Sequence, residues 1–190
     1  MTTLNPVVVP VDWSNADAVR LRAEMAAEVG RRYAGRIPES LRDTTNAVDP
    51  ESVQATLVVY VGAGAVGHAA VRWNGDDLEL KRMYVAPTHR GTGTATALLD
   101  AAESAARAAG VTRLVLQTGD RQPDAIRFYE RSGYQPIPVF PPYDQLPLSR
   151  CYARDLGMPS GPARLRRWLR AQRQFLASPA GVRAAMAGNI

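Results

Sequence analysis

The chain predicts an α/β (α+β) fold, with a mixed, mostly antiparallel central sheet of about six to seven strands flanked by helices. Three observations carry that expectation. Apolar runs at 56–61, 66–73 and 78–85 are separated by short Gly- and Asn-containing turns and read as a meander. An Arg–Gly loop at 90–93 then opens an alanine- and leucine-rich helix, and a further apolar run at 112–118 completes a crossover. A second helix after Pro123 precedes two short runs near 134–138 and 149–155, which read as a closing pair.

Each element has a local cause. PVVVPV at 6–11 is a first strand, and Pro10 places it at an edge because proline cannot donate to a ladder. Ser14 or Asn15 caps a helix through about Gly30, with Ala18, Leu21, Met25 and Val29 at helical spacing. Residues 31–49 are polar and irregular, and Asp49-Pro50-Glu51 reads as a cap, a proline at the first helical position and an acidic first turn. Asn74-Gly75 predicts a type I′ hairpin turn between the second and third runs of the meander. The helix from about Thr92 to Ala109 carries Leu98, Leu99, Ala102 and Ala106 on one face, and Gly110 stands where a C-terminal glycine is expected. Pro123 starts the next helix, Gly133 ends it, and PVFPPYDQLP at 138–147 is a proline-aromatic loop.

Composition sets bounds. The 190 residues suit one domain with an appendage, divided here as 1–157 and a basic amphipathic helical extension at 158–190. The net charge of +5 belongs to that extension, whose last 31 residues hold six arginines and no Asp or Glu. Basicity confined to the tail argues against a nucleic-acid-binding body, and self-docking or homodimer packing is the expected role of the tail. The single cysteine, Cys151, excludes an intramolecular disulfide and fits a cytoplasmic setting. No signal peptide is read at the N-terminus, and no apolar stretch approaches the ~20 residues that span a bilayer.

The stretch LKRMYVAPTHRGTGTATALL at 80–99 bears the chemistry. A glycine loop that opens a helix offers unpaired amides and the positive end of the helix dipole to phosphate. A nucleotide-triphosphate loop requires a lysine after its glycines, and the one lysine, Lys81, precedes them. A dinucleotide fingerprint requires a third glycine, absent from Gly91-Thr92-Gly93-Thr94-Ala95-Thr96, even though Asp120 could pose as its distant acid. The remaining pattern is R-x-x-G-x-A, met by Arg90, Gly93 and Ala95, with M-Y-V-A-P just upstream.

With Q-P-D-A-I-R-F-Y-E-R-S-G-Y at 122–134 and a final strand near 149–156, this sequence resembles the GNAT superfamily of N-acetyltransferases over roughly residues 55–156. The resemblance implies a GNAT-type sheet and acetyl-CoA as co-substrate. It places the pantetheine arm beside Met83, Tyr84 and Val85 and the diphosphate on Arg90, Gly91, Thr92, Gly93, Thr94 and Ala95. Gln122 stands where the family often has an asparagine contacting the cofactor. Tyr129 falls where the family commonly has its general acid, a phenol that stays protonated at neutral pH; it also reads as an inward-packed helix residue.

Glu79 is the first choice of general base, acting directly or through water, and also reads as a solvent-facing strand carboxylate. An α-amine acceptor would need no dedicated base. His89 reads as a loop residue near phosphate, His68 as structural, and Cys151 has no evident His partner for a nucleophilic role. No metal-ligand spacing is present, so no metal is expected. Phe140 and Tyr143 suggest a lid on the acceptor side, where Asp144 could attract a cation. The function implied is acetyl transfer from acetyl-CoA to a primary amine of a small or amino-acid-like acceptor. The alternative is a non-catalytic acyl-CoA-binding module whose tail recruits a partner.

Overall fold

The computed structural model describes residues 5–36, 47–146 and 148–157, so the extension at 158–190 and most of the 37–49 stretch lie outside the described residues. Within them a seven-stranded sheet forms, β1 (Val7–Val11), β2 (Val53–Val61), β3 (Gly64–Asn74), β4 (Asp77–Val85), β5 (Arg113–Gly119), β6 (Gln135–Ile137) and β7 (Ser149–Asp155). Their spatial order is β1-β2-β3-β4-β5-β7-β6. Every neighbouring pair is antiparallel except β4–β5. Pro10 does sit in an edge strand.

Three helices accompany the sheet, α1 (Ala16–Arg32), α2 (Thr94–Ala108) and α3 (Pro123–Arg131). The Asn15 side chain caps α1 by accepting from Asp17 and Ala18 amides at 3.0 and 3.2 Å. α1 runs two residues past the expected Gly30. The 74–77 turn differs from its expectation. Asn74 pairs with Asp77 in the ladder, and among the turn residues only Gly75 has a positive φ, 62°. One left-handed residue at the first central position is the type II′ pattern, not type I′, so Asn74 is the last strand residue and not part of the loop.

Leu98, Leu99, Ala102 and Ala106 of α2 bury against Leu57, Val59, Ala69, Val71, Leu78 and Leu80, and Ile126 and Tyr129 of α3 join the same core. The opposite face of the sheet carries α1, where Ala18 and Leu21 pack on Val58 and Tyr84. Farther along lies the 138–146 loop, with Tyr143 and Leu146 packed on Cys151.

Two irregularities in β4 create the functional region. Its parallel pairing with β5 covers only Leu78, Leu80 and the residue between, matched to Leu114–Leu116. Beyond that seam the two strands part. At Arg82 the β3–β4 register slips, and Arg82 takes φ 55°. A bulge of this kind bends the strand and increases its twist.

Candidate active site

The gap between β4 and β5 leads into an open cleft of about 550 Å³. Its walls come from α1 (Met25, Glu28, Val29, Arg32), β4 (Met83, Tyr84, Val85), the loop and start of α2 (Arg90, Gly91, Gly93, Ala95, Thr96) and α3 with its cap (Gln122, Phe128, Tyr129, Arg131). The structure therefore brings together the expected strand residues, most of the expected loop, Gln122 and Tyr129. Thr92, Thr94 and Glu79 are not part of the wall.

Main-chain groups of β4 are available there. The Ala86 amide donates to Val66 O at 2.8 Å, toward β3. Alternation along a strand then turns Val85 to the other edge, where among the described residues no β5 partner lies opposite. Val85 O on that edge accepts from Arg90 Nε at 2.9 Å. Met83 falls inside the bulge, and the carbonyl of its peptide, Arg82 O, is held from β3 by His68 Nδ1 at 2.8 Å, which turns the amide away from β3.

At the loop, Gly91 and Gly93 have φ of 76° and 85°, a conformation that favours glycine at both. Gly93 caps α2 with no side-chain bond, and no acidic residue sits in the first turn of the helix. The first amide bonded back within this helix is Ala97, to Gly93 O. The amides before it point out of the helix end, where the dipole favours an anion. Thr92 Oγ1 donates to His89 O at 2.7 Å and contacts Thr94 Oγ1 at 2.9 Å, so both hydroxyls brace the loop. These features fit a coenzyme A diphosphate and its extended arm.

Arg90 adds something that spacing did not reveal. Its Nη2 donates to Glu28 Oε2 at 2.6 Å, and Glu28 Oε1 accepts from Arg32 at 2.7 Å. Burial alone would raise the Glu28 carboxyl, but bonds from Arg90 and Arg32 outweigh it and lower the pKa. Glu28 thus ties α1 to the loop. In sequence Glu28 and Arg32 look like an ordinary i,i+4 pair; their place beside Met25 and Val29 is the one hint that they face a site.

Tyr129 is 8 % exposed, and its hydroxyl contacts Met83 Sδ at 3.5 Å. Burial raises its pKa above the ordinary phenol value. A thioether is a weak acceptor, so among the described residues this donor has no strong partner.

Glu79 lies on the opposite face of β4, fully buried and not solvent-facing. It accepts from Arg72 Nε at 2.9 Å and from the Tyr143 hydroxyl. Tyr143 Oη in turn accepts from Lys81 Nζ at 2.6 Å and Arg72 Nη2 at 3.2 Å. Burial lowers Lys81 to about 8, opposed by Glu79 and assisted by Arg72 and Arg82. This cluster pins the 138–146 loop to the sheet. Tyr143 is 0 % exposed, and Phe140 packs edge-on against it with ring centroids 5.3 Å apart. Asp144 is exposed. Cys151, buried in the same region, has its pKa raised by burial.

His68 is 0 % exposed, and burial lowers its pKa to about 4, with a backbone bond to Arg82 opposing and Arg22 and Arg82 assisting. Well above pH 6.5 neither folded nor unfolded chain protonates it. As pH falls from 6.5 toward 4 the unfolded chain takes a proton that the folded chain refuses, so stability declines by up to about 1.4 kcal/mol per pH unit. Urea midpoints measured from pH 7 to 4.5 should converge on those of His68→Asn, which lacks this titration. A constant difference between the two would contradict the buried, neutral imidazole.

Among the described residues no helix is long and apolar enough to cross a membrane, and no group of three or more His, Cys, Asp or Glu could hold a metal.

Residues 22–134 match the model of the acetyltransferase (GNAT) family. The chain is 42% identical over 89 residues to an IAA acetyltransferase of Azospirillum brasilense, covering 47% of this chain and 56% of that one. It is 34% identical over 97 residues to an uncharacterised N-acetyltransferase of Mycobacterium tuberculosis, covering 50% and 61%. The chain therefore spans a little over half the length of these curated relatives. Among solved structures, a candidate acyl-CoA N-acyltransferase of Klebsiella pneumoniae aligns with TM-score 0.66 at 30% identity, over 80% of this chain and 98% of that one. A GNAT-family acetyltransferase of Staphylococcus aureus aligns with TM-score 0.63 at 17% identity, over 80% and 100%, a likeness of fold.

Proposed function

The chain belongs to the GNAT family of acetyltransferases, and on that premise we propose that it moves the acetyl group of acetyl-CoA directly to a primary amine of a small or amino-acid-like acceptor. The observation that carries this reading is the cleft itself. A helix end with no side-chain cap, a strand edge with no partner among the described residues and a buried phenol line one opening. Coenzyme A supplies an activated acyl group and a sulfur leaving group when bound. Amides of Gly91 to Ala95 are suited to its diphosphate. Several amide–anion bonds of ~1.5–3 kcal/mol each reach the ~8 kcal/mol of micromolar binding. Met83, Tyr84 and Val85 present the strand edge to the pantetheine arm, and Gln122 offers its amide beside it. Arg90 braces the end of β4 and keeps positive charge at the loop mouth.

The Met83 amide acts as an oxyanion donor. Tyr129 Oη holds the proton for the departing sulfur, while the acceptor nitrogen loses one as its bond to carbon forms. Glu79 sits behind Tyr143 and Lys81, and none of the three lines the cleft, so as a base it would act only through that buried chain. This favours an acceptor whose amine is partly neutral. An α-amine near pKa 8 costs about 1 kcal/mol to deprotonate at pH 7, against about 4–5 for a lysine-like amine. Residues 158–190 keep self-docking or subunit pairing as their proposed role, and a cytoplasmic setting is the one a lone, buried cysteine suits.

The test is thiol release from acetyl-CoA over a panel of α-amines, lysine-like amines, peptides and aminoglycosides. Turnover with an α-amine above background is the expected result. Heat of coenzyme A binding without turnover on any amine would instead support a non-catalytic acyl-CoA-binding module.

A further inference from the structure

His68 lies outside the cleft, yet it holds the peptide that shapes it. Its Nδ1 is 2.8 Å from the main-chain oxygen of Arg82, and its Nε2 is 3.2 Å from Nη1 of Arg22. A guanidinium only donates, so Nε2 accepts and Nδ1 carries the proton given to the Arg82 carbonyl. Arg22 is itself fixed. Its Nη2 donates to Trp13 O at 2.7 Å, and its guanidinium lies 3.7 Å over the Trp13 ring. The Trp13 ring also meets His68 edge-on, with centroids 6.3 Å apart.

The accepting carbonyl belongs to the bulge residue. At a bulge the peptide leaves the ladder, and a buried carbonyl then needs another partner. The C=O of Arg82 and the N–H of Met83 share one planar trans peptide and point in opposite directions. Gripping that oxygen from the α1 face therefore aims the Met83 amide away from β3, into the gap where Tyr129 lies over Met83.

We propose that His68, backed by Arg22, is a positioning residue that sets the direction of the Met83 amide and so of the oxyanion donor. The proposal rests on the acetyltransferase reading above. It extends that reading to two side chains, in β3 and α1, that stand outside the cleft wall.

The experiment compares His68→Leu, which removes donor and acceptor, with His68→Asn, whose side-chain N–H sits near the Nδ1 position. His68→Leu is expected to lower kcat about tenfold to a hundredfold, less than the ~10²–10³ of a deleted oxyanion donor because the amide is turned and not removed. Coenzyme A affinity by calorimetry should stay within about threefold, since the diphosphate loop is untouched. His68→Asn should recover most of the lost turnover. In the ligand-free chain the Met83 amide resonance should move in His68→Leu and return toward its original place in His68→Asn. Wild-type kcat in folded His68→Leu, or an unmoved Met83 resonance, would overturn the proposal. If His68→Leu does not fold, Arg22→Leu is measured in its place, and an unchanged kcat or an unmoved Met83 resonance there overturns the proposal equally. Absence of thiol release by the unsubstituted chain is a separate result that removes the acetyltransferase reading, whereas normal release with an indifferent His68 removes only this one.

Discussion

Tyr129→Phe is expected to lower kcat by about 10²- to 10⁴-fold, the range of a lost general acid, and to leave coenzyme A affinity nearly unchanged. The substitution removes one oxygen. The ring stays packed edge-on against Phe128 and Tyr134, at centroid distances of 5.4 and 5.7 Å. Among the described residues the lost hydroxyl's hydrogen-bond contact is Met83 Sδ, so folding should hardly notice. Because burial holds the phenol protonated, the wild-type rate should show no alkaline limb from Tyr129 across the physiological range. Steady-state thiol release with calorimetry in parallel measures both quantities. Unchanged kcat would remove Tyr129 from the chemistry and leave it a core residue of α3.

Glu79→Ala should cost about 3–5 kcal/mol of stability, the cost of breaking a buried pair from one side. Arg72 and Lys81 are 8 % and 6 % exposed and would lose the carboxylate they share. Tyr143 would lose the acceptor of its proton, and the loop it anchors would come away from the sheet. Urea unfolding checks the size of the loss. Glu79→Gln keeps shape and one acceptor and should lose less. It also separates two roles: a relay base predicts a fall in kcat with a shifted pH profile in folded Glu79→Gln, and a lock predicts neither.

Much of the scaffold was legible because apolar periodicity and end signals agree. Leu98, Leu99, Ala102 and Ala106 are all buried as their spacing implies, and Asn15, Pro123 and Gly133 mark helix ends. The R-x-x-G-x-A loop and Tyr129 were legible as motifs. The bulge was not. LELKRMYV reads as an unbroken strand, with no glycine or proline to announce that Arg82 turns left-handed. The fate of Glu79 was hidden for a different reason. Alternation with Leu78 and Leu80 puts it on the other face, but its cover, Tyr143, arrives from a loop far along the chain. Glu28 was hidden because its partner, Arg90, is equally remote.

The three-pair seam between β4 and β5 has a mechanical consequence. It is the one stretch in which β1–β4 and β5–β7 share main-chain bonds among the described strands. On the proposed function, an extended ligand along the parted edge would act as a tie-beam, joining two half-sheets that the described strands clasp only at the base. Loading such a beam stiffens the frame that holds it, so occupancy and rigidity rise together.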